Sequence, residues 1–177
     1  MASALSLMLR TAAVCAFLGP LVLFASDLLL TTPSFEWTIG LWIAFMLLIP
    51  AVIGLTYILA SNGSILGVVG GVIAHIGLVA GASMQVLFRV YSVLNEQGAT
   101  STIEQLSSTF KLVAATQMIG LHWPVGLVIL SIACLTTRAV HIAIPILLVI
   151  GAIAFPLGRI GGSTVGVLLS GAAFVIA

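Results

Sequence analysis

The chain alternates between long apolar runs and short polar interruptions. A helix that crosses about 30 Å of hydrocarbon needs about 20 consecutive apolar residues. Six runs come close to this length or exceed it, at 9–30, 38–60, 65–94, 112–136, 139–156 and 160–177. The pattern therefore predicts an all-α fold: a polytopic transmembrane helical bundle of six spans with short loops, which forms a single transmembrane domain over residues 1–177.

Polar clusters mark the ends of the runs. The cluster 61–64, Ser-Asn-Gly-Ser, leaves room only for a tight antiparallel hairpin between the second and third spans. After the third span, Ile103, Leu106 and Phe110 share one helical face, which predicts a short interfacial helix over 101–110. An even number of spans places both termini on one side of the membrane. The few lysine and arginine residues leave open which side this is.

The composition places the chain in the bilayer. Hydrophobic residues make up 62% of the sequence and charged residues 5%, against about 45–50% and about 25% in soluble domains. Mean hydropathy is +1.36. We therefore expect a multi-pass integral membrane protein with lipid as its surroundings, in a cell membrane of bacterial type. Five Lys+Arg against four Asp+Glu leave a net charge of +1, which excludes a nucleic-acid partner.

Polar residues of the third span lie on one helical face. His75, Gln85 and Arg89 follow one another at offsets of 10 and 4 residues, in line with the small residues Gly71 and Ala82. A polar face of this kind is costly against lipid, so it should look into the bundle. It predicts a helix contact, a cavity or a cofactor site.

A second polar group lies in the fourth span, whose candidate ligand or cavity residues are Gln117, Met118, His122 and Trp123. Pro124 cannot donate to the carbonyl oxygen of Gly120, so a kink is expected there. His75 and His122 each lie about 15 Å into their spans, which enter from opposite sides. Both rings should therefore reach the middle of the membrane and face each other across a shared space.

Two histidines at one depth have three interpretations. They can each be hydrogen-bonded within the bundle, or line a polar cavity bounded by Gln85, Met118 and Trp123, or ligate a metal or a haem b iron. Hydrogen bonding is the commonest role of a buried histidine. No H-x-x-x-H or E-x-x-H pattern accompanies them, so a cofactor is not required by the sequence.

A single acidic residue, Asp27, lies near the hydrocarbon at the end of the first span. A carboxylate in this position needs a cation. Arg89, Lys111 and Arg159 all leave the membrane on the same side, and we predict an intramembrane ion pair between Asp27 and Arg89.

Function is less constrained than architecture. No nucleophile, metalloprotease or phosphate-loop motif is present, which argues against an enzyme. Cys15 and Cys134 lie in apolar runs and are expected to be buried. The leading hypothesis is a small membrane protein with an intramembrane polar cavity for an unknown small ligand, in a transporter-like, permeation or accessory role. The alternatives are a b-type haem electron-transfer protein using His75 and His122, and a structural subunit, in a homo-oligomer or a larger membrane complex.

Overall fold

The computed structural model describes residues 2–29, 35–109 and 120–177. This part of the chain is all-helical, as predicted. Its seven helices are α1 (Ala2–Leu29), α2 (Phe35–Ser61), α3 (Ile65–Glu96), α4 (Thr100–Thr109), α5 (His122–Thr137), α6 (Ala143–Arg159) and α7 (Thr164–Ile176).

Helices α3 and α7 each begin after a serine N-cap that follows a glycine turn. The Ser64 hydroxyl accepts a hydrogen bond from the Gly67 N–H at 3.1 Å, and the Ser163 hydroxyl accepts one from the Gly166 N–H at 3.2 Å. Each bond satisfies a donor that has no partner within the first helical turn. Gly63, which precedes α3, has φ +75°, a conformation that favours glycine. The predicted hairpin between α2 and α3 is therefore confirmed.

The six longer helices form a closed ring. In chain order, α1 packs on α2, α2 on α3, α3 on α5, α5 on α6 and α6 on α7, and α7 returns to α1. The short helix α4 contacts α3. Because α2 lies between α1 and α3, no contact joins α1 to α3 in the described part of the chain. This order decides which polar groups can meet.

The centre of the ring is filled by side chains from every long helix. The buried members include Leu23, Leu41, Leu78, Leu130 and Phe174. Trp123 of α5 also lies in this core, and its ring centroid is 6.2 Å from that of Phe174 on α7. The bundle interior is thus a packed apolar core rather than an open channel around the predicted residues.

The contact between α3 and α5 depends on glycine. A Cβ at Gly77 would collide with the backbone nitrogen of Trp123, and a Cβ at Gly126 would collide with the backbone nitrogen of Ala74. Only residues without a side chain let two helix backbones approach this closely. Gly77 and Gly126 are therefore packing positions of this helix contact.

Three helices are long and apolar enough to cross a membrane, over Ala4–Leu28, Trp37–Ser61 and Ile65–Glu96. The last three helices, α5, α6 and α7, are apolar but shorter, with 16, 17 and 13 residues. The structure thus supports a helical membrane protein with three candidate spans. The predicted fourth span begins at residue 112, outside the described residues. Helix α5 begins at His122, so Pro124 lies in its first turn, where its missing N–H would have no partner.

Candidate functional site

A groove opens on the flank of the bundle between α2 and α3. Its volume is about 230 Å³. Its buried lining residues are Thr38 and Gln85, and its exposed apolar walls are Ile39, Trp42, Val86 and Val90. Arg89 lines the end nearest the C-terminus of α3. The sequence places Gln85 and Arg89 on one inward face. The structure directs that face towards α2 and leaves it open at this groove.

Gln85 is the chemically distinctive residue of the groove. Its side chain is 8% exposed, and its Oε1 has no hydrogen-bond partner among the described residues. A buried carbonyl oxygen without a donor costs about 1–3 kcal/mol. Such an atom beside a groove is a candidate acceptor for a ligand that carries an O–H or N–H group.

Arg89 lies one helical turn after Gln85 on the same polar face of α3. Its Nη1 lies 3.4 Å from the Ser92 hydroxyl and 3.4 Å from Glu96 Oε1. The Ser92 hydroxyl donates to the same carboxylate at 2.9 Å. Arg89 and Glu96 thus form an exposed ion pair within α3. An exposed pair of this kind contributes at most about 1 kcal/mol.

The predicted ion pair between Asp27 and Arg89 is wrong. Asp27 Oδ1 accepts a hydrogen bond from Arg159 Nη2 at 2.5 Å, which joins the end of α1 to the end of α6. The physical reason is the ring order, since α2 separates α1 from the helix that carries Arg89. Arg159 is one of the three cations predicted to lie on the same side of the membrane as Asp27, and its long side chain reaches Asp27 at the end of the bundle.

The Asp27–Arg159 pair is enclosed by aromatic rings. The Arg159 guanidinium carbon lies 5.5 Å from the Trp37 ring centroid and 5.7 Å from that of Phe155. The Asp27 side chain is 2% exposed. Stacking of a guanidinium on aromatic faces holds the charge where water is excluded. These contacts are typical of a structural ion pair, which here links α1, α2 and α6.

His75 is half-buried on α3. Its Nδ1 lies 2.7 Å from the carbonyl oxygen of Gly71. Since a carbonyl only accepts, Nδ1 donates and Nε2 is left as an acceptor, for which no partner is present among the described residues. His75 therefore has a hydrogen bond within the bundle, the first of the three interpretations of the buried histidines.

The two histidines do not face each other. The α3 residues that contact α5 are Gly70, Ala74 and Gly77. At about 100° per residue, His75 points about 130° away from their mean direction. His122 lies near the level of His75, because its neighbour Trp123 meets Gly77, but its side chain is exposed. The two histidines thus lie at a similar level along the bundle, but a shared space or an iron site between the rings does not fit this geometry.

Of the remaining predicted site residues, Trp123 is described by the structure, and Gln117 and Met118 are not. Trp123 is 3% exposed and belongs to the core, and its Nε1 has no partner within the described ranges. Gln117 and Met118 lie outside the described residues. No group of three or more His, Cys, Asp or Glu side chains that could hold a metal occurs in the part of the chain that the structure describes.

Sequence reasoning missed the α2 half of the groove. Thr38 and Trp42 lie one turn apart near the start of α2. Tryptophan is commonly an interfacial anchor, and Trp42 in the second apolar run gives by itself no indication of a groove. The sequence signal for this wall of the groove is a polar residue, Thr38, four positions before Trp42. This spacing becomes informative only once α2 is known to lie against the polar face of α3.

Comparisons with known proteins place no constraint on this site. No protein-family model, curated protein or solved structure matches the chain.

Proposed function

We propose that this chain is a six-span integral membrane protein that binds an amphiphilic molecule from the bilayer in the groove between α2 and α3. The observation that carries the proposal is the buried Gln85 Oε1, which lacks a hydrogen-bond donor beside a groove with apolar walls. The sequence predicts a polar cavity inside the bundle. The binding site proposed here is instead the groove on its flank. A flank groove favours ligand binding over permeation.

The arrangement suits an amphiphile for a simple reason. The groove has an exposed apolar surface that an acyl chain can cover, formed by Ile39, Trp42, Val86 and Val90. Arg89 lies at one end of that surface and can attract an anionic headgroup. Ligand sites are typically apolar with a few convergent polar groups, which is the composition found here.

Matched tryptophan substitutions on α3 test the groove. Val86 is 53% exposed and lines it, whereas Val79 is 54% exposed and lies two turns earlier, outside the lining. We expect Val86→Trp to fill the groove and strongly reduce photo-crosslinking of a radiolabelled diazirine fatty acid to the purified protein in nanodiscs. Val79→Trp should leave crosslinking unchanged. Equal crosslinking in all three proteins would contradict the proposal.

Six spans predict a definite pattern of accessibility. Single cysteines in a background without Cys15 and Cys134 can be placed at Asn62, Gln97, His141 and Ile160, all of which are exposed. We expect a membrane-impermeant maleimide to label positions 62 and 141 from one side and positions 97 and 160 from the other. If only α1, α2 and α3 span, positions 97, 141 and 160 will label together.

A further inference from the structure

The ring of helices closes through a short contact between α7 and α1. Helix α7 has 13 residues, less than half the 28 of α1. In this contact Gly171 lies against the Phe24 side chain, and a Cβ added at Gly171 would be 2.6 Å from its ring. A side chain can rotate away, unlike the backbone atoms that meet Gly77 in the contact between α3 and α5. Leu28 of α1 and Leu169 of α7 are half-exposed, so both helices border on lipid.

Helices α6 and α7 form a hairpin that should move as one unit. Gly158 and Gly166 bring the two backbones together, since a Cβ added at either glycine would collide with backbone atoms of the other helix. The Ser163 hydroxyl caps α7 directly after the turn that joins them. Backbones packed this closely do not slide apart easily. A displacement of α7 from α1 should therefore carry α6 with it.

The ion pair between Asp27 and Arg159 fastens this hairpin to α1. No backbone contact joins α1 to α6 within the described ranges, yet the Arg159 side chain reaches from the end of α6 to Asp27 of α1. The same guanidinium lies over the Trp37 ring of α2. One side chain of the hairpin thus holds it to two helices that α6 does not otherwise contact.

Helix α7 covers an unpartnered hydrogen-bond donor in the core. Trp123 is 3% exposed, and its Nε1 has no acceptor among the described residues. Helices α5 and α7 are not neighbours in the ring, so Phe174 of α7 reaches Trp123 across the bundle centre. A buried donor without an acceptor is unfavourable, and an acceptor atom of a ligand would remove that cost. Movement of α7 would withdraw Phe174 and uncover the Trp123 ring.

We propose that the contact between α1 and α7 is a lateral gate, held closed by the Asp27–Arg159 pair, through which a neutral apolar ligand with an acceptor oxygen reaches Trp123 Nε1. The ligand enters from lipid and lies among core side chains such as Phe174, so it is apolar and uncharged. Its polar atom is an acceptor, such as a ketone or ester carbonyl, because the indole N–H only donates. Opening breaks a buried ion pair, so the open form is a minor state without ligand. This site is separate from the groove between α2 and α3 and does not depend on it.

Fluorescence of Trp123 measures the opening. The sequence has three tryptophans, so the double variant Trp37→Phe/Trp42→Phe isolates Trp123 and keeps an aromatic ring beside Arg159. The full chain is placed in nanodiscs of phosphatidylcholine with brominated acyl chains, which quench a tryptophan on contact. We expect weak quenching in this background. Asp27→Asn or Arg159→Gln should increase it, because loss of the buried pair raises the open population about 100-fold or more.

Two controls separate gate opening from other effects. Arg89→Gln removes an arginine that does not contact Asp27 and should leave the quenching unchanged. Phe24→Cys/Gly171→Cys places two thiols in the gate contact, in a background without the native cysteines. Oxidation to the disulfide should return Arg159→Gln to weak quenching, and reduction should reverse this. If Arg159→Gln does not increase quenching, or if the increase persists in the disulfide-linked protein, the gate is wrong.

The ligand chemistry is tested with benzophenone, a neutral ketone that crosslinks to protein under light. We expect it to label the core around Trp123 in Arg159→Gln and not in the disulfide-linked form. Methyl nonyl ketone should compete with this labelling at about tenfold lower concentration than undecane, which has no acceptor. In Trp123→Phe, whose folding is verified by thermal unfolding, the two competitors should be equal. Equal competition in the protein that retains Trp123, or no labelling of Arg159→Gln, would overturn the assignment of the ligand.

Discussion

Arg159→Gln will destabilise the protein by about 3–5 kcal/mol, because it leaves the Asp27 carboxylate buried without its cation. The Asp27 side chain is 2% exposed, and Arg159 is the cation that contacts it in the described structure. The same substitution removes the guanidinium from the Trp37 and Phe155 rings. Thermal unfolding in detergent should show a correspondingly lower midpoint temperature for Arg159→Gln.

Three further variants make this prediction specific. Asp27→Asn should also destabilise, and the double variant Asp27→Asn/Arg159→Gln should lose less than the sum of the single losses, because it leaves no unpaired charge. Arg89→Gln is the matched control. Its pair with Glu96 is exposed, so loss of that pair should cost at most about 1 kcal/mol. Additive losses for Asp27 and Arg159, or a larger loss for Arg89→Gln, would contradict the assignment of the pair.

Gly77→Ala will separate α3 from α5 and destabilise the bundle by about 1–3 kcal/mol, the usual cost of an overpacked interior. The added Cβ meets the backbone of Trp123, which cannot rotate away as the tip of a side chain can. This loss opposes the gain of about 0.5–1 kcal/mol that alanine normally brings to a helix interior. The thermal unfolding midpoint measures the net effect.

Gly120→Ala is the control for this substitution, because no atom of the described residues lies within 4 Å of the position of its Cβ. It should be neutral or slightly stabilising. A second substitution, Gly126→Ala, meets the backbone of Ala74 in the same interface. Once the first Cβ has separated the helices, the second should cost less than it does alone. Strictly additive losses would show that the two glycines do not share one contact.

Local patterns in the sequence determined the helices and much of the polar face. The predicted segments 38–60 and 65–94 differ from α2 and α3 by at most three residues at either end, and the short helix predicted at 101–110 is α4, Thr100–Thr109. Apolar run length and helical periodicity depend only on neighbours in the chain. The same periodicity placed Gln85 on an inward face of α3, where it is buried.

Only the tertiary structure decided which of these helices are neighbours. All the long segments are similarly apolar, so their hydropathy does not encode the order in which they pack. That order directs Arg159 rather than Arg89 to Asp27, turns His75 away from α5, and sets Trp42 beside Gln85. Contacts between residues far apart in the chain depend on the closing of the ring through α7 and α1, which no local pattern specifies.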